Sequence, residues 1–226
     1  MVTDSPGFQR ARRPEQVEAR RCAILDTARA LLRRRPVSEI SLRELSETVG
    51  LAKSNVLRYF GSREAIFLEV LHENLTAWLD ELTLSPAPGG PAPFAAEIHA
   101  ATEVAASLTA RPQLCELISV TGGVLEKNIP LADARQFKER SAAHQGRLAT
   151  IVRDRLPGLP EDAARHFAMS VFVTVAGLWP YASPSDAVAQ VMTERGLPPA
   201  GELFASALTE ALANQLTGLS ARYAAR

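Results

Sequence analysis

The sequence predicts an all-α protein: an N-terminal three-helix helix-turn-helix unit followed by a larger helical bundle. Three observations carry this. Apolar residues recur at three- and four-residue spacing along most of the chain, and no segment shows a convincing period of two. Ser41-Leu-Arg-Glu-Leu-Ser-Glu-Thr-Val-Gly-Leu-Ala-Lys-Ser-Asn-Val-Leu-Arg-Tyr-Phe-Gly-Ser-Arg63 describes two short helices around a tight turn, then a second turn that opens another helix. Prolines fall near the starts of the later apolar runs (Pro112, Pro130, Pro160, Pro184), where the missing N–H costs nothing.

Taken in order, residues 1–14 are polar and basic, with Arg10, Arg12 and Arg13, and read as a disordered arm. Residues 15–34 form a helix with an apolar stripe of Ile24, Leu25, Ala28, Leu31 and Leu32, stopped by Pro36. The motif helices follow at about 41–48 and 52–59. Ser41 and Glu44 make a capping box at the first, and Gly50 ends it in a left-handed turn. Ser62 caps a long helix reaching about Leu82, with Ile66, Phe67, Val70, Leu71, Leu75 and Trp78 on one face. Prolines and glycines at 85–93 exclude both helix and strand. Six further helical segments are expected at 94–110, 112–125, 130–156, 161–179, 184–195 and 202–219. The organisation is therefore an arm at 1–14, a helix-turn-helix unit at 15–62 and a bundle at 63–226.

With 226 residues and 46% hydrophobic content the chain can bury a sizeable core. No apolar run approaches the roughly 18 residues of a membrane span, and the start of the chain lacks the apolar stretch of a secretory signal. Cys22 and Cys115 lie far apart in apolar-periodic segments and read as two buried thiols of a reducing cytoplasm. Charge is divided. Residues 1–63 carry 13 Lys and Arg against 7 Asp and Glu, and the remainder reverses the balance, 12 against 18. A polyanion is drawn to the N-terminal end alone.

The second motif helix packs by Leu51, Val56, Tyr59 and Phe60 and shows Lys53, Ser54, Asn55 and Arg58 elsewhere. Lys and Arg donate to guanine O6 and N7 and Asn pairs with adenine, so these four are the candidate base-reading set. Ser41 and Ser62 at helix N-termini, with Tyr59 and Arg63, are the phosphate candidates; packing beside Phe60 is an equal account of Tyr59. Arg20 and Arg21 could add nonspecific attraction, as could the arm.

On these residues the chain resembles the TetR family of bacterial transcription regulators. Ile24-Leu-Asp-Thr-Ala-Arg-Ala-Leu-Leu32 is similar to the family's first helix, residues 41–60 to its second and third, and Tyr59-Phe60-Gly61-Ser62-Arg63-Glu64 to the opening of its fourth. Arg111-Pro-Gln-Leu-Cys-Glu-Leu-Ile118 and Leu125-Glu-Lys-Asn128 resemble a C-terminal type found in actinobacterial members. The chain departs from the pattern at Arg35-Pro36, where a glycine is common, and at Leu57, where an aromatic is common. The resemblance implies a cytoplasmic, nucleoid-associated bacterial repressor. It would bind a palindromic double-stranded DNA operator as a homodimer and be released by a small apolar effector. An activator, or a bundle without an effector, is the alternative.

Dimer contacts are expected from Phe167, Val171, Val175 and Leu178 and from Phe204, Leu208, Leu212, Leu216 and Leu219, stripes that could equally fill the chain's own core. The effector pocket is expected among Trp78, Leu114, Ile118, Met169, Phe172 and Trp179. No cofactor or metal is expected. The histidines His72, His99, His144 and His166 include no His-x-x-x-His pair, and the one Glu-x-x-His, Glu69 with His72, lacks a second copy and reads as a solvated helix face. No nucleophile elbow or phosphate loop occurs, so an enzyme is not expected. A helical protein-interaction module would share the bundle but leave the basic motif unexplained.

Overall fold

The computed structural model describes residues 14–87, 89 and 92–224, all helix and loop without strand. The basic arm lies outside them apart from Pro14, which already belongs to α1 (Pro14–Leu32). A 3₁₀ turn, Val37–Glu39, leads to α2 (Leu42–Val49) and α3 (Lys53–Phe60), and then to α4 (Arg63–Glu81). The bundle adds α5 (Ala95–Thr109), α6 (Pro112–Val120), α7 (Leu131–Arg155), α8 (Glu161–Leu178), α9 (Asp186–Glu194) and α10 (Ala200–Ala224). The helix expected at 112–125 is broken in two. Its second part, Thr121–Leu125, is a π turn, which loosens the ladder at Gly122-Gly123. α10 runs beyond residue 219 because Tyr223 still packs against the core.

The N-terminal unit is small and depends on its turns. The Ser41 hydroxyl accepts from the Glu44 N–H (3.2 Å), so half of the capping box forms. The Glu44 carboxylate does not return to Ser41; it pairs with Arg35. Gly50 (φ 71°, ψ 33°) ends α2 with the Leu51 N–H donating to the Ser46 carbonyl (2.9 Å), a Schellman closure. Arg21 lies over the Phe60 ring (4.3 Å to its centroid) and donates to the Tyr59 carbonyl (2.8 Å), clamping α1 onto the end of α3. It is therefore a half-buried internal brace and not the free cation the sequence suggested, whereas Arg20 is exposed.

α4 belongs to both halves. It buries Ile66, Phe67, Leu68, Val70, Leu71, Leu75, Trp78 and Leu79, packing on α1 at one end and on α6 and α7 further along. An Arg29–Glu73 ion pair joins α1 to α4. Glu69 and His72 are not the solvated face expected, because α7 covers them. Arg140 donates to Glu69 (2.9 Å), and His72 Nδ1 lies 2.8 Å from His144 Nε2. Cys22 also departs from expectation, being exposed while Cys115 is buried.

The stripes on α8 and α10 close the monomer's own core. Phe167, Val171, Val175, Phe204, Leu208, Leu212, Leu216 and Leu219 are all buried within the single chain, and Leu178 is half-buried. The reason lies on α5, whose buried face is small (Ala100, Ala101, Val104, Ala105, Leu108) and lets α10 approach closely. As a set these residues are not a subunit surface.

Gly61 has φ +71° and a Cβ there would sit 3.3 Å from Asp133 Oδ2 on α7. Gly61→Ala is expected to destabilise the fold by roughly 1–2 kcal/mol, read as a lower Tm, through left-handed strain with the α7 contact added. Burial first, and then neighbouring Arg140, lowers the His72 pKa; burial, His72, Arg147 and Arg140 push His144 down to about 4. Both rings take up protons less readily folded than unfolded, where 6.5 applies. Stability should therefore fall as pH drops from about 6.5 towards 4. Urea midpoints at pH 7 and 5 should differ less for His144→Gln than for the parent chain.

Candidate nucleic-acid interface

α3 is held by one face and open on the other. Val56 and Phe60 are buried against the unit's core, and Leu51 packs beside them. Lys53, Ser54 and Arg58 are exposed, while Asn55 is half-buried on the flank. Three of the four candidate base-reading residues thus share an open surface, and among the described residues none of the three makes an ion pair or side-chain hydrogen bond. Helical geometry puts Lys53 and Ser54 one turn before Leu57 and Arg58, so the open face is continuous. Leu57, which stands where an aromatic is common in the family the chain resembles, is part of it and is 37% exposed.

The phosphate candidates fall into two groups. Ser41 is exposed at the N-terminus of α2, and Ser62 is half-buried at that of α4, its hydroxyl accepting from the Ala65 N–H (3.0 Å). Tyr59 is half-buried, packed against the core. Arg63 is committed inward. Its guanidinium donates to the Val37 and Ile40 carbonyls (3.0 and 2.6 Å), pairs with Glu64 (3.0 Å) and lies 5.7 Å from the Phe67 ring centroid. With four intramolecular contacts its first task is to fasten the 3₁₀ turn to α4. Exposed Arg33, Arg34 and Arg43 add positive charge around the unit.

Two cavities flank α4. One, about 350 Å³, lies between α4, α6, α7 and α8 and is lined by Leu71, Leu75, Ile118, Phe137, Phe172 and Ala176, with a Glu126–Lys138 pair (2.8 Å) on its wall. The other, about 270 Å³, lies between the N-terminal unit and α7, and touches Arg21, Tyr59, Gly61, His72, Asp133 and Arg140. His144 lines both. Of the six pocket candidates only Ile118 and Phe172 line the larger cavity. Trp78 and Leu114 are buried core, Trp78 donating to Ser107 (2.9 Å) and meeting Phe172 edge-on. Met169 is exposed on α8. Trp179 stacks edge-on against Phe204 and donates to Glu116 Oε2 (3.0 Å).

Glu116 is a residue that sequence reading missed. Its other oxygen accepts from the Val37 N–H (3.3 Å), so one carboxylate joins the bundle to the N-terminal unit. No sequence signal marks it, since both partners lie more than sixty residues away. Among the described residues no group of three His, Cys, Asp or Glu side chains is arranged to hold a metal, and no helix is long and apolar enough to cross a membrane.

Comparison with known proteins fits this arrangement. Residues 24–70 match the family model described as bacterial regulatory proteins of the tetR family, and residues 72–223 match the model of a tetracyclin repressor-like C-terminal domain. The HTH-type transcriptional regulator RutR of Escherichia coli K12 is 34% identical over 71 residues, which span 31% of this chain and about a third (34%) of RutR. Two solved structures share the fold. A TetR transcriptional regulator from Rhodococcus sp. RHA1 has TM-score 0.51 and 16% identity over 86% of this chain and 95% of its own. A putative transcriptional regulator from Streptomyces coelicolor A3(2) has TM-score 0.53 and 20% identity over 89% and 97%. The two family models together span most of the chain, one over the helix-turn-helix unit and one over the bundle, and the chain belongs to the TetR family of bacterial transcription regulators, a DNA-binding regulator and not an enzyme.

Proposed function

We propose that this regulator binds a palindromic operator as a homodimer, represses by occluding polymerase, and leaves DNA when a small apolar molecule enters the bundle. The observation that carries the reading is the open face of α3, where Lys53, Ser54 and Arg58 stand clear of the fold on a helix anchored by Val56 and Phe60. Such a helix can enter a major groove without rearrangement of its own unit. Ser41 and Ser62 would set register through phosphates, with Tyr59 beside them, and Arg63 would act by bracing the unit and only secondarily by charge.

A single unit of this size makes too few contacts for a unique site, and two-fold pairing places recognition helices about 34–36 Å apart on one DNA face. The surfaces that support pairing are the outward faces of α8 and α10. Met169 and Val173 are exposed on α8; Leu203, Ala207, Asn214, Gly218 and Ala221 are exposed along α10. The effector reading rests on the cavity of about 350 Å³, whose apolar wall includes Leu71 and Leu75 of α4. A ligand there touches the helix that carries the DNA-binding unit, and it switches the protein only by binding the two states with different free energy.

Selection of bound sequences from random DNA tests the function, with a two-fold symmetric consensus expected. On that site Arg58→Ala should cost about 1–3 kcal/mol and relax one base position; an equal loss on random DNA would remove Arg58 from base reading. Arg63→Ala should instead lower Tm, by roughly 2 kcal/mol of stability, because two buried-side carbonyls lose a charged donor. Light scattering should give twice the chain mass, reduced to one by Val173→Glu combined with Ala207→Glu. A monomer in the parent protein would contradict the pairing.

A further inference from the structure

Leu57 stands out on α3 as an apolar side chain in the middle of a polar, outward face. It lies four residues after Lys53 and three after Ser54, and Arg58 adjoins it. Val56 and Phe60, 0% and 7% exposed, already fill the anchored side, so the unit's core does not use Leu57 in full. It is also the most exposed large apolar side chain of α2 and α3. Neither a phosphate nor a hydrogen-bonding base edge suits it. The major groove offers one apolar group, the 5-methyl of thymine.

We infer that Leu57 is a specificity-determining residue that packs against the methyl group of one thymine in each half-site. This rests on α3 being the base-contacting helix. Lys53, Ser54 and Arg58 then supply the polar contacts, and Leu57 separates thymine from cytosine at its position by apolar contact alone. The neighbouring donors cannot substitute, because a methyl group accepts no hydrogen bond.

The test uses the full-length protein and the sequence obtained by selection. Each thymine is replaced in turn by deoxyuridine, which removes the methyl and keeps every hydrogen-bonding group. Losing burial of one methyl should weaken binding roughly fourfold per half-site at one symmetric position. Leu57→Ala should bind the thymine and uracil duplexes alike, and Leu57→Met should restore the difference. Tm should hold in both variants, since the side chain lies on an open helix face. The inference is overturned if no thymine position responds to the exchange, or if the response is the same in Leu57→Ala. It is overturned also if Leu57→Ala is neutral on every duplex, which would mark Leu57 as an ordinary exposed leucine. A parent protein that prefers no duplex defeats the α3 reading itself, which is a distinct result from duplex binding that ignores the methyl.

Discussion

The backbone of Val37 is held from both sides. Its N–H donates to Glu116 of α6, its carbonyl accepts from Arg63 of α4, and its side chain is fully buried. Buried backbone N–H and C=O groups each need a partner, so the 3₁₀ turn cannot shift freely relative to either helix. α2 begins three residues after that turn, and α3 packs on α2. The orientation of α3 is therefore set where the bundle and the N-terminal unit both hold the backbone of one residue. The second oxygen of Glu116 accepts from Trp179, which stacks on Phe204 of α10. A contiguous set of contacts thus runs from the last helix of the bundle to the turn that positions the DNA-binding helices.

α4 supplies the second connection. It is covered by α1 near Glu73 and by α7 near Glu69 and His72, and the two cavities lie on either side of this stretch. Those contacts are polar and paired across helices: Arg29 with Glu73, Arg140 with Glu69, and His72 with His144. Most of these groups are half-buried, and each partner left alone would be an incompletely hydrated group without its counterpart, so the pairs favour one arrangement of the helices more than they add net stability.

Much of this was legible in the sequence. Every helix was placed within a few residues, since long apolar stripes identify themselves, and the helix-turn-helix unit was marked by Gly50, Gly61 and the two serine caps. The open side of α3 followed from the spacing of Val56 and Phe60. What escaped were the partners. Periodicity says that one face of a helix is buried but not what buries it, so the leucines of α10 looked available for a second subunit when α5 had already taken them. Glu69 and His72 looked solvated because their partners, Arg140 and His144, lie about seventy residues further on. Arg63 looked like a phosphate ligand for a similar reason. A cation beside a helix start is read from sequence as facing outward, while the two carbonyls that claim it belong to a turn more than twenty residues earlier. Glu44 shows the same on a small scale, choosing Arg35 over the cap of its own helix.

The central claim is that the face around Lys53 and Arg58 lies against base edges while the surrounding cations hold the backbone. Equilibrium binding to the selected duplex and to a scrambled one, titrated with salt, tests it most directly. Both affinities should fall steeply and in parallel as salt rises, each phosphate contact adding about one unit of slope, with the selected duplex staying about a thousandfold or more tighter throughout. Two affinities that coincide at every salt concentration would contradict it.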